Sequence, residues 1–437
     1  MRFLATDYGA VGDGATLNNE AIERAVHALE NAGGGELVFP AGVYLAGKVR
    51  LVDNMTLILE KDAFLKASDD IRDYFLDEDI DIERNFFQHY FLYGKGICNL
   101  TIAGEGCIEG AGQAFWENEY FSGAAFGKHT QATSVLKYDV LRPKPVRPVM
   151  LYLADCRQVR LEGFAIRNAP AYTVWTVSCE NVLISRLTIR NPEYGPNTDA
   201  LDIDCCRNVV IEHCDIEAGD DCVALKSDFH RLEKNKSCEN IAISDCRLKC
   251  CTCAIRIGYE GDGPITNVSC KNILVEDTRH GIDMLSIVPV CKLRIEHGTP
   301  MDNFRFENFR MRNVGQAFFI WAGNQPPHSE YDAYMRNLLF ADMEIDAVGS
   351  SFIGCEKPGR IEKLTFRNIK MNVADTKDFP PTTDFSSMPS HWGGWEKSGG
   401  MHFHNVPKAK MLDCEIRCAQ PGSNAIEKSG CTSALVE

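Results

Sequence analysis

Three aspartates carry the strongest chemical signal in the chain. Asn197-Thr198-Asp199 is followed by Gly219-Asp220-Asp221-Cys222, which places three carboxylates within about 23 residues. The flanking residues alternate apolar and polar, the period of a β-strand, so the acids belong on or beside strands. Asp199 and Asp221 are separated by roughly one turn of the repeat described below, and adjacent turns of a stacked sheet could hold all three carboxyl groups together. Crowded carboxylates do not all ionise freely: one holds a proton near neutral pH while its neighbours remain bases. These are the parts of acid/base hydrolysis. The competing reading makes the acids corner residues of the repeat, where Asn and Asp are common, but two consecutive acids in a strand context are costly for that purpose alone. Asp202 and Asp204 alternate on one face and are expected to bond backbone or to support the first three.

Other residues of chemical interest surround this centre. Ile257 should face the core, and parity then turns Arg256 the other way, towards a cleft. Lys226 follows the acids, and Arg279, His280 and Asp283 come one repeat later. Cys250, Cys251 and Cys253 lack the histidine or second cysteine pair of a metal site, so they are read as packing, and neither a metal nor another cofactor is expected. Trp321, Trp392 and Trp395, with His391, His402 and His404, are candidates for a stacking platform against the apolar face of a sugar ring. Trp116 and Trp175 are read as core or cap, and His213 as structural.

The elements that must position these residues form a repeat. A turn residue, a run of alternating apolar positions and a second short strand recur from Asn99, Gln158, Asn181, Asn208, Asn240, Asn267, Asn303, Asn337 and Lys363, and weakly from Lys408 to Ile416. Irregular spacing around a regular strand core means loops of variable length at fixed corners, the signature of a parallel β-helix. Residues 18–32 read as an amphipathic helix with Ile22, Ala25, Val26 and Leu29 on its apolar face, placed to cap the open end of the stack. Because each coil contacts its neighbours, residues 1–437 are expected to make a single all-β domain. Two insertions, 61–92 and 374–400, are expected as cleft-wall loops.

Composition narrows the function classes. A formal charge of −15 and a pI near 5.3 argue against nucleic acid, which needs a basic stripe. No apolar run reaches the length of a membrane span, and the first residues lack the apolar core of an export signal, so a cytoplasmic location is expected. The nineteen cysteines are an odd number, and Cys179, Cys206 and Cys238 recur near one position of the repeat; free buried thiols explain this better than disulfides.

At its central coils the sequence resembles the family 28 glycoside hydrolases, the polygalacturonase group. The matching residues are Asn197-Thr198-Asp199, Gly219-Asp220-Asp221-Cys222 with Ala224-Leu225-Lys226-Ser227, and Ile257-Gly258 with Glu260; Tyr8 to Gly14, Gly104-Glu105-Gly106 and Arg147-Pro148 extend the likeness. The resemblance implies a right-handed parallel β-helix and single-displacement hydrolysis with inversion. Asp220 would protonate the leaving oxygen, while Asp199 and Asp221 would hold and deprotonate water across a gap of roughly 6.5–9.5 Å. Two departures stand out. The family's Gly-His-Gly before Ile-Gly is replaced by Cys250 to Ala254, so its histidine has become Thr252 or Cys253. Its Arg-x-Lys pair, which grips the uronate carboxylate, aligns with Asp283-Met284-Leu285, and carboxylate recognition needs charge-assisted donors. The expectation is therefore an inverting hydrolase of oligosaccharides, with Asn197, Lys226, Arg256, Arg279, His280, Asp283, Trp392 and Trp395 around the substrate, acting poorly on plain galacturonan. The alternatives are a galacturonide hydrolase with relocated uronate-binding residues, a polysaccharide lyase, and a catalytically silent carbohydrate-binding β-helix.

Overall fold

The computed structural model describes residues 1–77, 87–120, 140–228, 232, 236–288, 297–324, 332–374, 399–406, 408–419 and 421–429. Chain contacts divide it into two compact units, one running to Asp220 and the other starting at Asp221.

In the first unit the helix Asn19–Asn31 buries Ala21, Ile22, Ala25, Val26 and Leu29, one residue shorter at each end than the pattern predicts. Most of the rest is a stack of parallel strands. On one face Val159, Val182 and Val209 lie in register on successive coils, as do Leu161, Ile184 and Ile211. On another, Leu151, Val174 and Leu201 line up. Ile166, Ile189 and Ile216 make a third ladder. Apolar residues at alternate strand positions point inward and close a continuous core, which is a parallel β-helix.

The second unit repeats the scheme. Ile243, Cys270, Phe306, Phe340 and Phe366 occupy one inward column, and the rings of Phe306, Phe340 and Phe366 stack at 4.9 and 5.0 Å. Its other sheet runs through the parallel strands Val223–Ser227, Cys253–Gly261, His280–Val288, Gln316–Asn324, Ser351–Cys355 and Met401–His404. The weak repeat after Lys408 is real: Ala409–Leu412 and Glu415–Cys418 both pair with Ile361–Val373.

The corner residues show why the repeat begins with asparagine. Asn99, Asn181, Asn208, Asn240, Asn267, Asn303 and Asn337 all have φ between 56° and 63°, the left-handed region that Asn tolerates better than most side chains. Their amides also stack: Asn208 donates to Asn181 at 3.1 Å, Asn267 to Asn240 at 3.1 Å and Asn303 to Asn267 at 2.9 Å.

Segment 61–92 is not one loop. Ala63–Ala67 pairs with Gly42–Ala46 and with Cys107–Glu109, and His89–Lys95 pairs with Pro148–Ala154. Its acidic and aromatic composition hid the buried alternation of Ala63, Leu65 and Ala67. Residues 78–86, and nearly all of 374–400, lie outside the described residues. The described cysteines are thiols outside any disulfide, and Cys179 and Cys206 donate to the carbonyls of Leu153 and Thr176 one coil earlier.

Candidate active site

In the first unit, Asn197 and Asp199 sit in the turn before the strand Leu201–Asp204, and Asp220 follows the strand Asp215–Ala218. Neutral side chains and backbone build most of this turn. Asn197 has φ 53° and accepts from Arg147 Nη2 at 2.8 Å, while Arg147 Nη1 donates to Pro196 O at 2.6 Å and Pro170 O at 3.2 Å. Asn191 Nδ2 donates to Thr173 Oγ1 at 2.7 Å and to Thr198 O at 3.2 Å. Thr198 Oγ1 donates to Gly195 O at 2.9 Å and accepts from the Gly219 N–H at 3.1 Å. That last bond ties the segment carrying Asp199 to the one carrying Asp220. Gly219 is required there: a Cβ would lie 2.4 Å from Gly195 O and 2.5 Å from Thr198 Oγ1.

The outcome is a close pair. Asp199 and Asp220 are both buried, and carboxylate oxygens of the two lie within 4.8 Å of each other. The gap of roughly 6.5–9.5 Å expected for an inverting pair refers to whole carboxyl groups, and the 4.8 Å bound refers to one oxygen of each. Asp202 and Asp204 are buried in the strand that follows.

In the second unit, Asp221 opens the chain and precedes the strand Val223–Ser227. Its carboxylate is held by charge. Arg256 Nε donates to Oδ2 at 2.6 Å, Arg256 Nη2 reaches Oδ1 at 3.4 Å, and the Cys253 N–H donates to Oδ1 at 3.2 Å. Parallel pairing of Cys253–Gly261 with His280–Val288 sets Arg256 opposite Asp283 and Cys253 opposite His280. Arg256 Nη1 therefore stands 3.3 Å from Asp283 Oδ2, and Nη2 donates to Cys253 Sγ at 3.0 Å. Cys253 Sγ donates to Asp283 Oδ2 at 3.2 Å, and His280 Nδ1 lies 3.0 Å from the same oxygen.

The titration behaviour follows from this burial. Burial works against the Arg256 charge, but Asp221 and Asp283 outweigh it and hold the guanidinium well above its ordinary value. Burial pushes the Cys253 thiol far up, so it is a neutral donor. Burial also lowers His280, against the pull of Asp283. A neutral imidazole reaches Asp283 as a donor only in the tautomer protonated at Nδ1. Cys253, His280 and Asp283 bring three ligand atoms within 4.8 Å of one another, the makings of a metal site, yet a guanidinium already lies against two of them.

Several sequence expectations change. Arg256 does leave the core face, but it grips Asp221 and Asp283 and is not a free cation for substrate. Asp283 is 0% exposed, so it meets Arg256 and His280 instead of a sugar. His280 and Arg279 are likewise buried. Lys226 is buried and bound to Glu260 at 2.8 Å. Trp321 is no platform: it packs with Leu285, Ile287, Phe319 and Phe352 in a closed cluster, and His404 stacks on it at 6.1 Å. His402 is buried against Glu427. Trp392, Trp395 and His391 lie outside the described residues.

The thiol of Cys253 is the participant that residue-type reasoning missed. A signal existed. Asn240 and Asn267 mark a coil of 27 residues, and the same step carries Cys253 to His280 and Arg256 to Asp283. Tyr259 was also missed: with φ 74° it is a left-handed aromatic, and its ring lies 5.6 Å from the Arg256 guanidinium carbon.

Known proteins provide the remaining comparison. The pattern of glycosyl hydrolases family 28 matches residues 75–326. A probable polygalacturonase of Vitis vinifera is 34% identical over 232 residues, which is 51% of this chain and 43% of the relative. One from Arabidopsis thaliana is 29% identical over 228 residues, 51% and 42% of the two chains. The chain thus spans less than half the length of these relatives. Among solved structures, the hyperthermoactive exopolygalacturonase of Thermotoga maritima superposes with a TM-score of 0.64 at 21% identity, covering 94% of this chain and 88% of that one. The endo-xylogalacturonan hydrolase of Aspergillus tubingensis gives 0.62 at 15% identity, with 100% of both chains covered. What these structures share with the present one is the fold, a right-handed parallel β-helix.

Proposed function

The chain belongs to glycosyl hydrolases family 28, and from that premise we propose that it hydrolyses glycosidic bonds in oligosaccharides with inversion at the anomeric carbon. Asp220 is the acid that protonates the leaving oxygen. Asp199 and Asp221 hold the attacking water and take its proton, so that the bond to the leaving sugar breaks as the bond to water oxygen forms. The observation that carries the reading is the buried Asp199–Asp220 pair, with oxygens within 4.8 Å. Two acids so close in a dry setting favour one shared proton, the state a general acid and its neighbouring base require.

That same closeness favours a second reading. Retaining enzymes hold their carboxyl groups about 5–5.5 Å apart and pass through a covalent glycosyl intermediate. Family membership supports inversion, and oxygens within 4.8 Å are also compatible with the retaining separation. Proton NMR of the first-formed anomer decides between them: inversion is the expected outcome, and a retained anomer overturns the single-displacement mechanism.

For the sugar beside the scissile bond, we propose a neutral or differently linked residue over plain galacturonate. The support is that Arg256 is committed to Asp221 and Asp283 and Lys226 to Glu260. A buried uronate without a committed cation costs several kcal/mol, roughly the scale of an unpaired buried charge. A panel of defined oligosaccharides, scored by reducing-end release, should show slow turnover of unmodified oligogalacturonides. Fast turnover would remove the substrate proposal, and an unsaturated product absorbing in the ultraviolet would make the protein a lyase.

A further inference from the structure

We infer that Arg256 is the positioning residue of the reaction, and that Cys253, His280 and Asp283 exist in this site to aim its guanidinium at Asp221. The inference rests on the water-holding role of Asp221 proposed above. Each step is geometric. An aspartate carboxylate rotates about its last torsion with a broad, two-fold preference, so a catalytic one needs its oxygens fixed from outside. Here Oδ2 takes Nε of Arg256 at 2.6 Å and Oδ1 takes the Cys253 N–H at 3.2 Å. The planar fork of a guanidinium suits this duty better than an ammonium group, since two of its nitrogens can address both oxygens of one carboxylate.

A fork on a long side chain must itself be fixed. Asp283 lies 3.3 Å from Nη1, and the Cys253 sulfur accepts from Nη2 at 3.0 Å, so the far edge of the guanidinium also has partners. His280 and the Cys253 thiol both bond Asp283 Oδ2, at 3.0 and 3.2 Å, and thereby fix that carboxylate in turn. Tyr259 covers the guanidinium from 5.6 Å, in a backbone conformation that an aromatic residue adopts only under constraint. All these groups are buried except Tyr259, which is half-buried. Asp283 is fully buried, so the end of the ion chain away from Asp221 does not reach a sugar. Its one reactive terminus is Asp221.

Direct substrate binding by Arg256 would raise KM; positioning of Asp221 lowers kcat. The wild-type protein is first assayed on the oligosaccharide panel, and detectable hydrolysis there establishes the reaction independently of Arg256. Arg256→Ala is then expected to lower kcat by about a hundredfold or more with KM within about threefold. Added methylguanidinium should restore part of kcat, and Arg256→Lys should retain more activity than Arg256→Ala. If Arg256→Ala does not fold by circular dichroism, Asp283→Asn carries the test: it keeps the shape, loosens the guanidinium, and should lower kcat about tenfold at unchanged KM. A rise in KM at unchanged kcat in these variants overturns the inference. So does stoichiometric zinc in the purified wild-type protein that is lost in Cys253→Ala, because the cluster would then be a metal site.

Discussion

The segments around two carboxylates adjacent in the chain, Asp220 and Asp221, are built differently. The turn around Asp199 and Asp220 is built by hydrogen bonds to neutral acceptors, from Arg147, Asn191, Thr198 and backbone, with Gly219 allowing close approach. The Asp221 region is fixed by a buried ion chain through Arg256 to Asp283. Neutral bonds each contribute about 1 kcal/mol net and are tolerant of small losses. A buried ion chain is poised between large opposing terms, so it fails abruptly when one member is removed. The first arrangement brings two buried carboxylates close together, which suits the proton sharing proposed for them. The second suits a carboxylate whose orientation has to be kept.

The sharpest way to break the contrast is Asp283→Ala. It takes a shared acceptor from His280 and Cys253 and the counter-charge from Arg256, and should destabilise folding by about 3–5 kcal/mol, the scale for a broken buried pair. Chemical denaturation measures it, and a loss below about 1 kcal/mol would mean that the network is slack. Next come the acids themselves. Asp220→Asn and Asp221→Asn should each reduce kcat at least about a hundredfold while the fold persists. Wild-type-like turnover in either variant would remove that residue from the reaction.

On the neutral side the effects should be smaller. Thr198→Val keeps the shape and deletes the hydroxyl that links Gly195 to Gly219, at an expected cost of about 1–2 kcal/mol. Gly219→Ala forces two carbonyls and that hydroxyl apart and should add a drop of about tenfold in kcat, since misplacement by an ångström disturbs catalysis strongly. Equal losses in Thr198→Val and Asp283→Ala would erase the distinction between the two regions.

The smallest effect is a pH dependence. Burial lowers His280 below its ordinary 6.5, against Asp283 and with Arg279 and Arg256 also acting to lower it. The unfolded chain therefore binds this proton first as pH falls. The stability that neutral His280 contributes is present above about pH 6.5 and is lost as pH drops from there towards the folded value, with a slope of at most about 1.4 kcal/mol per unit. His280→Gln should flatten the fall of Tm between about pH 6.5 and 5 relative to wild type. An unchanged slope would show that the buried imidazole does not set it.

How much of this was legible differs along the chain for physical reasons. The coils, their corners and the helix could be read directly, because strand alternation and the left-handed tolerance of asparagine are local properties, expressed wherever Asn181 or Asn267 stands. Asp199, Asp220 and Asp221 could be singled out because adjacent acids are conspicuous among alternating apolar residues. Even the pairing of Arg256 with Asp283 was implicit in the 27-residue coil from Asn240 to Asn267. Tertiary structure alone decided what those residues face. Asp283 could have met a sugar, a metal or a cation; full burial beneath Arg256 makes it a counter-charge. Trp321 could have lined a cleft, but neighbouring strands bring Phe319 and Phe352 against it. Burial and charge pairing depend on side chains from separate coils meeting in three dimensions, and a one-dimensional pattern fixes the period of a coil without fixing which of its outward residues another part of the chain will cover.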